Sequence, residues 1–194
     1  MTTDDPARAK ATLRQRVRMA RDQLAPDYRQ AAATAIADAI DREVFAALAP
    51  GAIVALYAAI RSEVDSAPIA ARASARGLTL AYPRIEADRE LAFAIVDREA
   101  LTPGAMGIPA PVASAPAIDP GAIDIFVIPA IAFDPSGARL GWGGGYYDRI
   151  LARAPHARRV GVAFASQLVA SVPTDGHDQR VHLIVTEVAL HRCA

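Results

Sequence analysis

Glycines, aromatic rings and charged residues are concentrated in one stretch of the chain, residues 133–151, which reads FDPSGARLGWGGGYYDRIL. Gly141 and the three consecutive glycines at 143–145 remove side chains from a run of backbone, so its N–H groups can approach and face an anion. From Tyr146 onward the spacing of apolar residues becomes helical. A glycine-rich loop that leads into a helix N-terminus is suited to binding phosphate groups. The stretch therefore predicts a ligand loop followed by a helix.

This loop does not match the common phosphate-binding motifs. A P-loop requires a lysine after its second conserved glycine, and no lysine occurs here; in a Rossmann turn the sixth position, counted from Gly141, would be glycine, but it is Tyr146. A flexible surface loop is the alternative interpretation. Trp142, Tyr146 and Tyr147 argue against it, because a flexible tether has no use for three large rings.

Basic residues near the N-terminus supply a second candidate site. Asp5 as N-cap and a helical pattern from Pro6 to about Leu24 predict a first helix, and Lys10, Arg14 and Arg21 lie along one border of its apolar stripe. Of the 21 lysine and arginine residues in the chain, only Lys10 is a lysine. A single lysine among arginines suggests a site that needs a compact point charge, such as one that binds phosphate, although chance is the alternative.

Acidic residues follow the first predicted strand, residues 52–57. The loop at 58–65 contains Glu63 and Asp65 and lies where the carboxyl end of an α/β strand is expected, a position where ligands bind. The two carboxylates either contact a ligand or cap the next helix, and the residues alone leave both interpretations open.

Several of these motifs together resemble one family. The string RLGxGGGYYDRxL at 139–151 resembles the signature of the 5-formyltetrahydrofolate cyclo-ligases, also called methenyltetrahydrofolate synthetases. The pattern K-x-x-x-R at Lys10 and Arg14, the EVDS segment at 63–66 and the segment at 164–178 also resemble elements of that family. The resemblance extends from Lys10 to Glu187.

The resemblance implies roles for individual residues. Nucleotide phosphates are expected to contact Lys10, Arg14, Arg139, Gly141, Trp142, Gly143, Gly144, Gly145, Tyr146 and Tyr147. The folate pocket is expected to be formed by Tyr57, Glu63, Trp142 and Tyr146, and the residues expected to act directly in catalysis are Arg139 and Tyr146. ATP and Mg²⁺ are the implied co-substrate and metal, with Asp148 as a magnesium ligand. Where the family has a second acidic residue, this chain has His182, a poor ligand for a hard cation.

Strands alternate with helices along the whole chain. Helices are predicted at about 6–24, 27–48, 66–76 and from Tyr146, and strands at 52–57, 78–82, 91–96, 122–128, 158–163 and 181–186, with Pro83 and Pro129 ending two of the strands. This order predicts a single domain, 1–194, with a three-layer α/β/α fold and a mostly parallel sheet with small antiparallel additions. The resemblance implies a topology like that of ribose-5-phosphate isomerase and the CoA-transferases.

Charge and cysteine content narrow the function. The formal net charge is zero and the pI is near 6.9, so no bulk field favours nucleic acid or a membrane. The single cysteine, Cys193, cannot form an internal disulfide, which fits the reducing cytoplasm. The resemblance implies a monomer and an ATP-dependent ligase that converts 5-formyltetrahydrofolate to 5,10-methenyltetrahydrofolate. The alternatives are a non-catalytic nucleotide-binding or RNA-associated relative and a kinase for another small substrate.

Overall fold

The computed structural model describes residues 6–87 and 90–193, so Asp5, the predicted N-cap, lies outside the described residues. Four α-helices occur in the described chain: α1 Pro6–Asp22, α2 Pro26–Glu43, α3 Ala67–Ala75 and α4 Tyr146–Ala152. The strands are β1 Ile53–Ala55, β2 Thr79–Ile85, β3 Leu91–Ile95, β4 Thr102–Pro103, β5 Pro109–Ala110, β6 Ile125–Pro129, β7 Ala132–Phe133, β8 Arg139–Leu140, β9 Arg158–Val162, β10 Leu183–Val185 and β11 Leu190–Arg192.

Seven of these strands form one central sheet in the order β11-β10-β9-β6-β1-β2-β3. The five inner strands are parallel, and the two edge strands, β3 and β11, pair antiparallel with their neighbours. The prediction of a mostly parallel α/β sheet with antiparallel additions is therefore confirmed. The more specific topology implied by the resemblance stays a prediction.

The sheet buries both of its faces, as the alternation of side chains along each strand requires. On β6, Ile125 and Val127 belong to the core that packs under α2 and α3, whereas Phe126 and Ile128 point into a second core that includes Ile150 of α4. One core lies on each face of the sheet, so the sheet is the middle one of three layers. A smaller third core joins α1 to the β7–β8 hairpin. None of the described helices combines the length and apolarity needed to cross a bilayer.

Two predicted boundaries are wrong. The second helix ends at Glu43 rather than near Leu48, because Val44 leaves helical geometry and a 3₁₀ turn follows at Phe45–Ala47. Pro83 does not end β2, which continues to Ile85 by pairing with β3. Strand β1 has already ended at that point, so β2 has no neighbour on that side that would need the N–H that proline lacks.

Candidate active site

The turn before the glycine run is held by one buried carboxylate. Asp134 accepts hydrogen bonds from the backbone N–H groups of Ser136 at 2.9 Å and Val172 at 2.8 Å, and from the Ser136 hydroxyl at 2.6 Å. Burial alone would raise the pKa of Asp134, but these hydrogen bonds lower it below its ordinary value. The turn predicted at residues 134–137 is confirmed, and it fixes the hairpin that carries Arg139.

The side chain of Arg139, on strand β8 of the hairpin, is almost fully buried and contacts α4. Its Nη2 donates to Oδ1 of Asp148 at 2.7 Å, and the same oxygen accepts the backbone N–H of Gln179 at 2.9 Å. The guanidinium also lies 5.9 Å from the centre of the Tyr147 ring. Burial lowers the pKa of Arg139, and the charge of Asp148 offsets this effect. The structure thus supplies a desolvated cation directly beside the glycine run.

The glycine run has the backbone conformation that its sequence suggests. Gly143 and Gly145 have φ angles of 98° and 67°, in the left-handed region that glycine tolerates best. A side chain at Gly144 would begin 2.4 Å from the ring of Tyr146. Helix α4 begins at Tyr146, so the predicted loop followed by a helix is confirmed.

Helix α1 brings one cation to this loop and a second cation to the segment 175–178. Arg14 donates through Nε to the carbonyl oxygen of Gly141 at 2.8 Å. Lys10 lies one turn earlier, and its Nζ contacts Asp175 at 3.1 Å and Asp178 at 3.0 Å. Burial opposes the positive charge of Lys10, but these two carboxylates raise its pKa. The fold therefore joins Arg14 to the glycine loop and Lys10 to the segment 175–178.

The acidic loop after β1 rests on Tyr57. This side chain is buried, and its hydroxyl donates to the carbonyl oxygen of Val64 at 2.6 Å, while Ser66 Oγ donates to the carbonyl oxygen of Tyr57 at 2.5 Å. Oε2 of Glu63 accepts the backbone N–H of Ile60 at 3.2 Å. Tyr57 thus supports the loop from below and sets the position of Glu63.

Trp142 connects the two loops. Its indole Nε1 donates to Oε1 of Glu63 at 3.2 Å, and its ring lies between the guanidinium groups of Arg61, at 5.4 Å, and Arg21, at 5.9 Å. Burial raises the pKa of Glu63, and the nearby arginines only partly counter that rise. The predicted nucleotide loop and the predicted folate residue are therefore in direct contact.

Several residues at this site were not identified from the sequence. Asp175 and Asp178 bind Lys10 from a segment more than 160 residues away, and nothing in the local sequence signals that pairing. The sequence predicts Arg21 as one of the cations that border the apolar stripe of the first helix, but it does not predict that only 1% of this side chain is exposed. Its position beside Glu63 depends on how α1 packs against the loop after β1.

One carboxylate at this site, that of Asp148, is a candidate metal ligand. Among the described residues, no group of three or more His, Cys, Asp or Glu side chains is arranged to hold a metal ion. Asp148 is the predicted ligand, and Arg139 already engages one of its oxygens. At the amino end of β9, His182 accepts the backbone N–H of Arg159 through Nδ1 at 3.1 Å, and burial and nearby arginines lower its pKa. A single carboxylate fits magnesium only when nucleotide phosphates provide most of its ligands.

The fold and the site together define an α/β protein in which a glycine loop next to two arginines contacts a buried carboxylate beyond the carboxyl ends of β1 and β6. The family described as the 5-formyltetrahydrofolate cyclo-ligase family matches residues 6–187, and this chain belongs to it. The family suggested by the sequence motifs is thereby confirmed.

Individual relatives agree with this assignment. The chain is 36% identical to the mouse 5-formyltetrahydrofolate cyclo-ligase over 76 residues, 37% of each chain, and 28% identical to that of Mycoplasma pneumoniae over 136 residues, 69% of this chain and 72% of the relative. The first of these alignments spans little more than a third of the relative's length. The structure of Aquifex aeolicus 5,10-methenyltetrahydrofolate synthetase superposes with a TM-score of 0.80 at 33% identity, covering 94% of this chain and 92% of that one. The M. pneumoniae synthetase structure, at 24% identity and a TM-score of 0.75, covers 92% and 98% and shows the same fold.

Proposed function

We propose that this protein is an ATP-dependent 5-formyltetrahydrofolate cyclo-ligase that forms 5,10-methenyltetrahydrofolate and releases ADP and phosphate. The observation that carries the proposal is the contact between Trp142 in the glycine loop and Glu63. It brings a loop suited to phosphate binding next to a buried carboxylate that can accept hydrogen bonds from a second ligand. The match to the cyclo-ligase family over residues 6–187 supports the same activity. The protein is expected to act on folate as a cytoplasmic monomer, without nucleic acid or membrane.

The reaction requires activation of a poor electrophile. The carbon of a formyl amide is weakly electrophilic, and its carbonyl oxygen is a poor leaving group. The γ-phosphoryl group of ATP is therefore transferred to that oxygen, with ADP as the leaving group. N10 of the folate then attacks the activated carbon and loses its proton, and the carbon–oxygen bond breaks as phosphate leaves. Phosphoryl transfer depends on positioning and on charge stabilisation more than on a protein nucleophile. A site built from cations, backbone amides and aromatic rings suits this chemistry.

The charged part of the site would bind the nucleotide. Arg14 contacts the carbonyl oxygen of Gly141, and Arg139 lies two residues before the glycine run, whose N–H groups would bind phosphate oxygens. Lys10, now paired with two carboxylates, would turn to the phosphates when the nucleotide binds. Arg139, desolvated and beside the loop, is placed to stabilise charge on the transferred phosphoryl group. Asp148 would give one oxygen to a magnesium ion that accompanies the phosphates, and that ion would neutralise part of their charge.

The other part of the site would bind the folate. Glu63 would accept hydrogen bonds from ring N–H groups, and Tyr146 at the start of α4 would place the formyl group next to the phosphates. Trp142 would line the same pocket, while Tyr57 supports it through the loop at 58–65. The glycine loop would therefore lie between the two ligands and contribute to the binding of both.

The direct test is the near-ultraviolet absorbance of the purified protein mixed with 5-formyltetrahydrofolate, Mg²⁺ and ATP. We expect the conjugated methenyl chromophore to appear in the complete mixture and not when ATP is left out. Glu63→Ala should reduce the initial rate at least tenfold, equivalent to a loss of about 1.4 kcal/mol of transition-state stabilisation. A flat trace from wild-type protein that still binds ATP would reject the cyclo-ligase and favour a non-catalytic relative or another substrate.

A further inference from the structure

Arg21 is a buried cation with two hydrogen-bond donors that the protein does not use. Only 1% of its surface is exposed, and its Nε donates to Ser62 Oγ at 3.1 Å. Within residues 6–87 and 90–193, neither Nη1 nor Nη2 has a hydrogen-bond partner. Unpaired donors on a buried charge are costly, and folded proteins retain them where they serve a function. The two Nη groups therefore require an acceptor from outside the chain.

The surroundings of Arg21 restrict what that acceptor can be. Glu63 is the strongest of the nearby groups that favour the charged guanidinium. A phosphate or a free carboxylate bound to Arg21 would meet the negative charge of Glu63 and be repelled. A neutral ligand avoids this repulsion if it offers an oxygen to Arg21 and an adjoining N–H to Glu63. The site therefore fits a lactam edge, in which a ring C=O and a ring N–H are neighbours.

Trp142 shows that a flat ring fits this space. Its indole N–H already donates to Glu63, and its ring lies against Arg21 and Arg61. An N–H-bearing heterocycle would compete for the same carboxylate, so Trp142 must move away before such a ligand binds. Gly141 and Gly143 flank the tryptophan, and neither carries a side chain that restricts this movement.

We infer that Arg21 contacts the substrate directly: its Nη groups donate to the 4-oxo oxygen of the pteridine ring, and Glu63 accepts the adjoining N3–H. The Trp142 indole gives up its hydrogen bond to Glu63 as the ring enters and moves to the edge of the pocket that it lines. This inference rests on the proposed function, because 5-formyltetrahydrofolate is the ligand that carries such a lactam edge. It adds Arg21 as a residue that recognises the ring, distant from the formyl group where the chemistry occurs.

The first test compares Arg21→Met with Arg16→Met, which changes an exposed arginine on the same helix. Arg21→Met should raise KM for 5-formyltetrahydrofolate at least tenfold and change kcat less than threefold, because ring contacts act equally in the ground state and the transition state. The ligand-free Arg21→Met protein should still unfold in one cooperative transition, because methionine fills much of the same buried space, and its melting temperature reports what Glu63 and Ser62 lose with the guanidinium. Arg16→Met should leave KM unchanged.

A second test uses the wild-type protein and does not depend on any variant folding. Its binding of 5-formyltetrahydrofolate is compared by calorimetry with that of the 2,4-diamino analogue, in which an amino group replaces the 4-oxo oxygen. We expect at least tenfold weaker binding of the analogue, because Arg21 would then face an amino donor and Glu63 would face a ring nitrogen that has lost its hydrogen. Trp142 is the only tryptophan in the chain, so its emission maximum should shift to longer wavelength as the substrate displaces it.

The outcomes separate this inference from the proposed function. If wild-type protein gives no methenyl product, the proposed function fails and the inference fails with it. If wild type turns over, but Arg21→Met keeps its KM or wild type binds both ligands equally, only the inference is overturned. An Arg21→Met protein that melts lower and binds both ligands equally weakly would assign Arg21 to the scaffold instead.

Discussion

A single buried carboxylate, Glu63, carries much of the chemistry proposed for the substrate pocket. Its two oxygens accept from Ile60 N–H and from the indole of Trp142, yet burial still raises its pKa above the ordinary value of 4.5. Keeping Glu63 ionised therefore lowers the stability of the folded protein. A substrate that supplies N–H donors would offset this cost, which is a reason for a binding site to keep a desolvated acceptor.

The raised pKa of Glu63 makes a prediction about stability. The folded state binds the Glu63 proton more tightly than the unfolded state does, so this residue lowers stability as pH rises from 4.5 through the folded pKa. Glu63→Gln cannot titrate, so the free energy of unfolding of wild type should fall relative to that of the variant between pH 4 and pH 7. Denaturant unfolding at several pH values measures the difference.

Glu99→Gln at an exposed position is the matched control for the loss of a glutamate carboxylate. If the difference in the free energy of unfolding between wild type and Glu63→Gln is the same at all pH values, the pKa of Glu63 is not raised. Only the part of the difference that changes with pH tests the prediction.

At this scale the sequence could predict residue types but not partners. Glu63 and Arg14 could be named because each lies in a short local motif, and the fold places both at the site. The carboxylates that bind Lys10 and the burial of Arg21 could not be predicted, because both depend on where α1 packs. Contacts between distant segments leave no local signal in a single sequence.

Among the elements, the β7–β8 hairpin sets the position of the glycine loop. Gly137 closes its turn with a φ of 80°, and a side chain there would begin 2.2 Å from the carbonyl oxygen of Val181. The carbonyl oxygen of Gly137 accepts the backbone N–H of Val181 at 2.9 Å. This glycine is therefore required both by its backbone conformation and by the close approach of the chain before β10.

Replacement of Gly137 by alanine should separate these two requirements. At Gly51, also left-handed but with open space around it, alanine should cost only the conformational penalty of about 1–2 kcal/mol. Gly137→Ala should cost more, because the Val181 segment must also shift, and turnover should fall since Arg139 lies two residues downstream. Urea unfolding and the absorbance assay measure the two effects. Equal losses of stability in the two variants would show that the close contact is relieved at no cost.

Element types were easier to predict from the sequence than their ends. The alternation of apolar strands with amphipathic helices gave the correct order, because burial on both sheet faces requires that pattern. The end of α2 and the continuation of β2 through Pro83 depend on neighbouring chains, and local propensity does not report them. The edge strand β11 was missed because Leu190–Arg192 is short and contains two polar residues.

Over the whole molecule, α1 is the element that reaches every part of the site. Lys10 contacts the 175–178 segment, Arg14 the glycine loop and Arg21 the loop after β1, and about 16 Å of helix separates the first from the last. The helix packs through Val17, which is 4% exposed and belongs to the small core shared with the β7–β8 hairpin. The nucleotide and folate parts of the site therefore depend on the same helix position.

Because both parts of the site depend on α1, we predict that weaker packing of this helix will weaken the binding of both ligands. Val17→Ala removes two buried methyl groups and should lower the free energy of unfolding by about 1–2 kcal/mol. KM for ATP and KM for 5-formyltetrahydrofolate should each rise at least threefold, because Lys10, Arg14 and Arg21 move with the helix. Ile36→Val on α2 should cost a similar amount, about 1 kcal/mol, and raise neither KM threefold, since Ile36 does not belong to the small core that holds α1 and the change removes only one methylene group. A rise in only one of the two KM values for Val17→Ala would show that α1 serves the two pockets separately.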